Sequence, residues 1–290
     1  MSVLDIGEAS FLRIRVLVED TSGFSEGLLA EHGLSLLVEV GGRSGVARLL
    51  FDCGQAYSTV RHNAEKLGVT LKDVSFIVLS HCHYDHTGGL LGVLKETGRV
   101  PVIAHPEVYR RTFLLKPKFR YVGVPFTKEE AEKAGAIHVL ARSPLKLCDG
   151  LATTGEVERR AEFEAREALE AYMLSDGRLI RDELRDDLSL VANVRGKIVV
   201  ISGCSHAGIV SIVEHASQLA GGKHVYAVVG GLHLAEASEE RVKLTAEKLR
   251  ELGVEKVAVG HCTGLDAMYM LKREFREGFT QLHVGSLVKF

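Results

Sequence analysis

The sequence predicts an α/β fold, in which two similar halves form one αββα sandwich of two mixed β-sheets flanked by helices. Short apolar runs rich in β-branched residues, typical of buried strands, recur along the chain and are repeatedly followed by helical stretches. Strand-rich segments closed by helices occur in both halves, and no Pro/Gly linker divides the 290 residues. We therefore expect a single domain over residues 1–290.

The first half alternates predicted strands with predicted helices. A Gly-Gly-Arg-Ser-Gly sequence at 41–45 indicates a hairpin between two strands, after a Gly-containing loop over 20–33. Gly68 is placed to end the first helix. The predicted strands cover 11–19, 34–40, 46–52, 74–79 and 101–104, and the predicted helices cover 57–67 and about 87–96.

Residues 109–127 show no clear hydrophobic period. Basic side chains alternate there with aromatic ones, for example Arg110 and Arg111 before Phe113. Two interpretations stay open: a lid-like insertion over a binding site, or a solvated basic loop anchored by a few aromatic rings.

In the second half, predicted strands repeatedly end in a short loop carrying Gly with His, Asp or Cys. Because ligands gather at the carboxyl ends of strands in open α/β folds, these loops are candidates for a site. Ser175-Asp176-Gly177 predicts a turn between two short extended segments. The predicted strands are 136–140, 151–154, 196–202, 224–229, 254–259 and about 280–284, and the predicted helices are 160–172, 207–220, 237–252 and 265–276.

Composition excludes several classes of protein. The formal net charge of −2, from 36 basic and 38 acidic side chains, gives no general attraction to nucleic acid or anionic membrane. No apolar run approaches the ~20 residues that span a bilayer, and the N-terminus is acidic where a signal peptide is basic. We therefore expect a cytoplasmic protein. The five cysteines, an odd number in a long chain, argue against a disulfide framework, and the oligomeric state stays open.

A cluster of metal-ligand residue types follows the predicted strand 74–79. His81, His83, Asp85 and His86 lie within six residues. Side chains alternate along an extended loop, so His81 and His83 point the same way and can share one ion, while Asp85 and His86 face a second position. Burying four polar side chains without a partner would cost several kcal/mol. The cluster therefore predicts a metal centre.

At this point the chain resembles a known family. His81-Cys82-His83-Tyr84-Asp85-His86 resembles the His-x-His-x-Asp-His signature of the metallo-β-lactamase superfamily. Further motifs are similar to one subfamily, the 7,8-dihydropterin-6-methyl-4-(β-D-ribofuranosyl)aminobenzene-5′-phosphate synthases of methanopterin biosynthesis. These motifs are Glu31-His32-Gly33-Leu34-Ser35, Thr154-Gly155-Glu156, Asp186-Asp187, Gly203-Cys204-Ser205-His206, Gly230-Gly231-Leu232-His233 and His261-Cys262-Thr263-Gly264.

The resemblance implies a ligand set with two departures from the superfamily pattern. The usual middle histidine has no match in the corresponding region, Thr153-Thr154-Gly155-Glu156, and Cys204 stands where the bridging aspartate usually follows a glycine. We therefore hypothesise that His206 completes a first metal position with His81 and His83. Asp85, His86 and His261 would hold a second position. Cys204 either bridges as a thiolate or is a buried bystander, so the site takes one or two divalent ions, with zinc the first expectation and iron or manganese also suited.

The resemblance also implies supporting and substrate-binding residues. Asp52 is expected to orient a ligand histidine, and Asp85 to take part in catalysis. His233, His32, Glu156 and Arg159 are expected to contact a small phosphorylated substrate. Candidate phosphate contacts are Arg110, Arg111, Lys116, Lys118, Arg159 and Arg160.

Three classes of function follow from these residues. The subfamily implies a transferase that joins a dihydropterin methyl diphosphate to a ribofuranosyl-aminobenzene phosphate. Most members of the superfamily are hydrolases, which favours a hydrolase of an ester, phosphodiester or lactone. Fold alone does not settle function. A non-catalytic metal-binding or sensing protein is the third class.

Overall fold

The computed structural model describes residues 3–24, 27–43 and 45–290. The predicted loop over 20–33 includes Ser25 and Glu26, and the predicted hairpin turn includes Ser44. These three residues lie outside the described part of the chain, as do Met1 and Ser2 of the acidic N-terminus.

The secondary structure alternates strands and helices as predicted, with additional short strands. The strands are β1 Phe11–Val18, β2 Ser35–Gly42, β3 Gly45–Phe51, β4 Phe76–Val78, β5 Val100–Ala104, β6 Thr112–Leu114, β7 Arg120–Tyr121, β8 Ala136–Leu140, β9 Lys146–Cys148, β10 Leu151–Thr153, β11 Ala171–Ser175, β12 Arg178–Asp182, β13 Leu190–Val194, β14 Lys197–Ser202, β15 Val225–Gly231, β16 Lys256–Gly260, β17 Phe279–Gln281 and β18 Leu287–Lys289. The helices are α1 Tyr57–Lys66, α2 Tyr84–Thr87, α3 Leu90–Thr97, α4 Lys128–Ala134, α5 Glu162–Arg166, α6 Ile209–Leu219, α7 Glu239–Glu251 and α8 Leu265–Phe275. None of these helices has both the length and the apolar character that crossing a bilayer requires.

Two seven-stranded sheets repeat one arrangement. The first has the order β18-β1-β2-β3-β4-β5-β8, and the second has the order β17-β16-β15-β14-β13-β10-β9. In the first sheet β3, β4, β5 and β8 run parallel, and in the second β14, β15, β16 and β17 do so. The strands on the other side of each sheet pair antiparallel. The predicted similarity of the two halves is therefore confirmed.

The two sheets pack face to face, and helices cover their outer faces. Residues 198–201 of strand β14 are all apolar because both faces of the strand are buried there. Val199 and Ile201 pack in the cluster between the sheets, whereas Ile198 and Val200 pack against α6, α7 and α8. Helices α1, α3 and α4 cover the first sheet in the same way. The predicted αββα sandwich is confirmed.

The segment 109–127 and the end of the predicted helix 160–172 contribute strands to a third, smaller sheet, which the sequence did not predict. Strands β6 and β7 pair with the β11–β12 hairpin in a separate four-stranded sheet, ordered β12-β11-β6-β7. The helix prediction over 160–172 is wrong beyond α5, because β11 already begins at Ala171. The Glu164 carboxylate accepts from the backbone N–H groups of Val210 and Ser211 at 2.9 and 3.1 Å, and Glu167 accepts from that of Ser238 at 2.9 Å. The two glutamates thus cap the amino ends of α6 and α7.

Removing the Ile201 side chain tests the core between the sheets. We expect Ile201→Ala to lower the free energy of unfolding by about 2–5 kcal/mol, since the side chain is fully buried and its loss leaves a cavity. Ile201→Val should cost only about 0.5–1.5 kcal/mol. Urea unfolding followed by circular dichroism measures both, and equal small losses would contradict tight packing there.

Candidate metal centre

The chemically reactive side chains lie at one edge of the sandwich. Parallel strands β3 and β4 of one sheet, and β14, β15 and β16 of the other, direct their carboxyl ends to this edge. The residues that follow these strands are Asp52 after β3, the His81–His86 loop after β4, Cys204 and His206 after β14, His233 after β15, and His261 after β16.

Three buried histidines, His81, His83 and His206, form what we call the histidine trio. Their nearest ring nitrogens lie within 4.8 Å of one another, and the ring centroids are 4.6 to 4.8 Å apart. Within the described part of the chain, Nε2 of His81, Nε2 of His83 and both nitrogens of His206 have no hydrogen-bond partner. Orphaned buried nitrogens are costly, so their convergence fits a divalent cation bound at their centre.

The protein fixes the tautomer of His81. Ser80 donates its hydroxyl proton to Asp52 Oδ2 at 2.7 Å, so its oxygen accepts from His81 Nδ1 at 2.8 Å. The proton of the neutral ring then sits on Nδ1, and the Nε2 lone pair faces the other two rings of the trio. The ring is therefore oriented for metal binding before any metal arrives.

Arg110 stabilises the His81–His86 loop through Asp186. Asp186 accepts the backbone N–H of Cys82 at 2.8 Å and pairs with Arg110 at 2.7 Å, while Arg110 also pairs with Asp182 at 2.8 Å. The expectation that Arg110 binds substrate phosphate is wrong, because this buried guanidinium is already neutralised by two carboxylates.

A second donor group, made of Asp85, His86, His261 and Cys204, lies beside the trio. His86 Nε2 is 3.2 Å from His261 Nε2, and Asp85 Oδ2 lies 3.3 and 3.4 Å from these two nitrogens. Cys204 Sγ lies 3.1 and 3.3 Å from the same nitrogens. The structure thus brings together every residue that the sequence suggested for the second position.

Asp52 holds His86 as the resemblance implies. Its Oδ2 accepts from His86 Nδ1 at 2.7 Å, and its Oδ1 accepts the Ser80 backbone N–H at 2.7 Å. Because the proton lies on Nδ1, the His86 Nε2 lone pair points at His261. Two facing lone pairs 3.2 Å apart repel each other unless a cation or a proton lies between them, which fits a second metal position.

Sequence reasoning missed Asp20. This residue follows β1, and its carboxylate accepts from His261 Nδ1 at 2.6 Å and from His32 Nδ1 at 2.8 Å. Its neighbour Glu19 accepts the His261 backbone N–H at 2.5 Å. Asp20 follows a strand as Asp52 does, but no quoted family motif contains it, and only the fold brings it to His261.

The two donor groups differ in electrostatics. Burial lowers the pKa of His83 to about 4 and those of His81 and His206 well below the usual value, so the trio is neutral at pH 7. Burial also opposes the charge on His86, but the carboxylates of Asp85 and Asp52 raise its pKa to about 9. Carboxylates therefore concentrate negative charge at the second position, where a cation is favoured.

The trio predicts a pH dependence of stability for metal-free protein. The folded pKa of His83, about 4, lies below the unfolded value near 6.5, so the unfolded chain binds more protons between these pH values. Stability should fall as pH drops from about 6.5 to 4, by about 1.4 kcal/mol per pH unit for each such proton. Urea unfolding of chelator-treated protein measures this slope. His83→Gln should reduce it, the exposed His224→Gln should not, and a flat wild-type profile would contradict the buried neutral trio.

The two donor groups open into a cavity of about 550 Å³. His32 and His233 line it, as expected for substrate contacts, and the His233 ring lies 4.3 Å from that of His206. Glu156 and Arg159 do not line it, contrary to expectation. Glu156 pairs with His105 and Arg142, and Arg159 donates to the His206 carbonyl oxygen at 3.0 and 3.2 Å.

Comparison with known proteins gives a consistent result. The profile of the metallo-beta-lactamase superfamily matches residues 28–261. The chain is 38% identical to a 7,8-dihydropterin-6-methyl-4-(beta-D-ribofuranosyl)-aminobenzene-5'-phosphate synthase of Methanocaldococcus jannaschii, covering 99% of this chain and all of that relative. An uncharacterized protein of the same organism is 31% identical over 95% of this chain and 99% of its own length.

Solved structures agree. A crystal structure described as a metal-dependent hydrolase of the beta-lactamase superfamily superposes with a TM-score of 0.79 at 28% identity, covering 96% of this chain and 98% of that one. A metallo-beta-lactamase fold protein from Bacillus subtilis, 14% identical with a TM-score of 0.56 over 97% and 100% of the two chains, shares the fold. Proteins of this superfamily generally bind divalent metals, which matches the donor groups found here. The chain therefore belongs to the metallo-beta-lactamase superfamily.

Proposed function

We propose that the protein is a metal-dependent transferase that joins a dihydropterin methyl diphosphate to a ribofuranosyl-aminobenzene phosphate. The observation that carries the proposal is the pair of buried donor groups opening into one cavity large enough for a small molecule. The full-length similarity to a protein named as the corresponding synthase supports the choice of substrates.

The donor atoms define which residues would hold metal. The histidine trio would form the first position, and Asp85, His86, His261 and Cys204 would form the second. Divalent ions bound there, zinc being our first expectation, would supply positive charge that stabilises the departing diphosphate. The negative charge of the carboxylates beside the ions, above all Asp85, would determine how much net positive charge acts on the diphosphate.

In this reaction the aryl amine nitrogen attacks the methylene carbon of the pterin, the carbon–oxygen bond breaks, and diphosphate leaves. The attacking nitrogen loses one proton. Holding both substrates in line is worth many orders of magnitude in effective concentration. The exposed His32 ring, kept in place by Asp20, and the half-buried His233 ring lie on the cavity wall where they could orient the two partners.

The small four-stranded sheet would act as a lid. Leu114, Lys116, Pro117 and Arg120 of the β6–β7 hairpin line the cavity, and so do residues 167–170 before β11. Both segments belong to or adjoin the same sheet, so a movement of the sheet would cover or uncover the cavity. Excluding water protects a reactive diphosphate from hydrolysis while the amine attacks.

A hydrolase of an ester, phosphodiester or lactone is the second candidate. One observation favours it: the structure with a TM-score of 0.79 is described as a metal-dependent hydrolase and is 28% identical to this chain. The same donor groups would then serve to activate water rather than to stabilise diphosphate departure alone.

Incubation with both synthase substrates distinguishes the two candidates. Metal-loaded protein should form the coupled product and release one diphosphate for each product molecule. Leaving out the amine should stop diphosphate release. Diphosphate or ester release that proceeds equally fast without the amine would favour the hydrolase, and tight metal binding without turnover in either assay would favour a binding or sensing protein.

A further inference from the structure

Arg241, on the first turns of α7, is a buried cation in the cavity wall. Its side chain is 6% exposed, and it lines the cavity together with Glu167 and Ala237. In the described part of the chain no carboxylate lies within 4 Å of its guanidinium, and its Nε has no hydrogen-bond partner. Buried charges are normally paired, so this one lacks an anion that the folded chain does not supply.

The nearest acidic residues are engaged elsewhere. Both carboxylate oxygens of Glu164 accept from the amino end of α6, and the Glu167 carboxylate accepts from Ser238, at 2.9 Å from its backbone N–H and 2.6 Å from its hydroxyl. Arg241 itself reaches only the Glu167 backbone carbonyl, from Nη1 at 2.6 Å. Four of its five N–H groups therefore remain without a partner among the described residues.

Burial lowers the pKa of Arg241, and the two distant glutamates offset that shift only in part. A guanidinium remains charged under these conditions, so the uncompensated charge is a standing cost to the folded protein. A dianion entering the cavity would remove the cost and would gain charge-assisted hydrogen bonds from the planar fork.

We propose that Arg241 is the binding residue for a phosphate monoester of the substrate, and that this group is the 5′-phosphate of the amine acceptor. The choice of acceptor rests on the proposed function, in which the donor's diphosphate lies against the metal positions. The cavity then has two anion sites, one for the leaving group and one that selects a phosphorylated acceptor.

Binding of ribose 5-phosphate tests the site without requiring turnover. Metal-loaded wild-type protein should bind ribose 5-phosphate measurably by isothermal titration calorimetry and should bind ribose far more weakly. Arg241→Gln should raise the dissociation constant for ribose 5-phosphate about tenfold or more, as expected for a lost charge-assisted pair. Arg241→Lys, which keeps the charge but loses the fork, should fall between the two.

Lys243→Gln is the matched control, because it removes one positive charge from the same helix at an exposed side chain that does not line the cavity. Ribose 5-phosphate should bind to it within about twofold of wild type. Folded Arg241 variants that bind ribose 5-phosphate as tightly as wild type would overturn the proposal, as would an equal loss in Lys243→Gln. Circular dichroism verifies folding, and Arg241→Lys serves if Arg241→Gln unfolds.

Steady-state kinetics identifies which phosphate is bound. Arg241→Gln should raise the KM for the phosphorylated acceptor and leave the KM for the pterin diphosphate near that of wild type, and the reverse would overturn the acceptor assignment. If no coupled product forms with wild-type protein, the proposed reaction is refuted. The calorimetric experiment still tests independently whether Arg241 binds a phosphate monoester.

Discussion

His206→Ala should lose bound metal, whereas Glu156→Ala should keep it. The first change removes one of three buried imidazoles whose nitrogens converge within 4.8 Å, and the second removes a side chain held by His105 and Arg142 outside the cavity. Changes to residues that only support a ligand typically cost 10–100-fold in affinity, so loss of a ligand itself should weaken binding by at least about 100-fold.

Elemental analysis after dialysis against dilute chelator measures this difference. His83→Ala should behave like His206→Ala, and turnover should fall in parallel with metal content. Thermal unfolding of each variant must show a folded protein, since the three histidines are buried. If His206→Ala kept its metal and Glu156→Ala lost it, a metal ligand would lie where the superfamily usually has its middle histidine. That result would refute the histidine trio as a metal site.

The trio also shows how far sequence reasoning reaches. Alternation along an extended loop was enough to predict that the His81 and His83 rings lie together, because the rule is local. The choice of His206 over Glu156 needed only a departure from a family pattern. Asp20 was missed because it lies 241 residues before His261 in the chain, and no local pattern reports such a contact.

The four-stranded sheet was less predictable for a related reason. Strand β6 pairs with β11, and Phe113 lies 59 positions before its partner Tyr172, so neither strand has a local signal. The charged stretch 160–172 has the composition of a helix, yet only Glu162–Arg166 is helical, and Ala171–Ser175 pairs with β6 as a strand. Contacts between residues distant in sequence thus determine the secondary structure of both segments. The strands of the two main sheets, in contrast, lie where the sequence has short apolar runs.

Cys204 offers the second large effect, because it occupies the place where the superfamily commonly has a bridging aspartate. Its sulfur lies 3.1 Å from His86 Nε2 and 3.3 Å from His261 Nε2, within reach of a shared ion. Burial raises the pKa of the Cys204 thiol, so the metal-free protein keeps it protonated and metal binding must displace the proton. If its thiolate is a ligand, Cys204→Ser should weaken the second metal position by at least about 100-fold, more than loss of a supporting residue would.

Cobalt substitution separates a thiolate ligand from a buried bystander. Cobalt-loaded wild-type protein should show a sulfur-to-cobalt charge-transfer band that disappears in Cys204→Ser and remains in Cys262→Ser, whose sulfur instead accepts from the His233 backbone N–H at 3.3 Å. Cys204→Asp should recover metal affinity without the band, since a carboxylate is also a good ligand for these ions. A wild-type spectrum without the band, or one unchanged by Cys204→Ser, would make Cys204 a bystander. The second position would then depend on Asp85, His86 and His261 alone, and the softness of its donors could no longer explain which metal it selects.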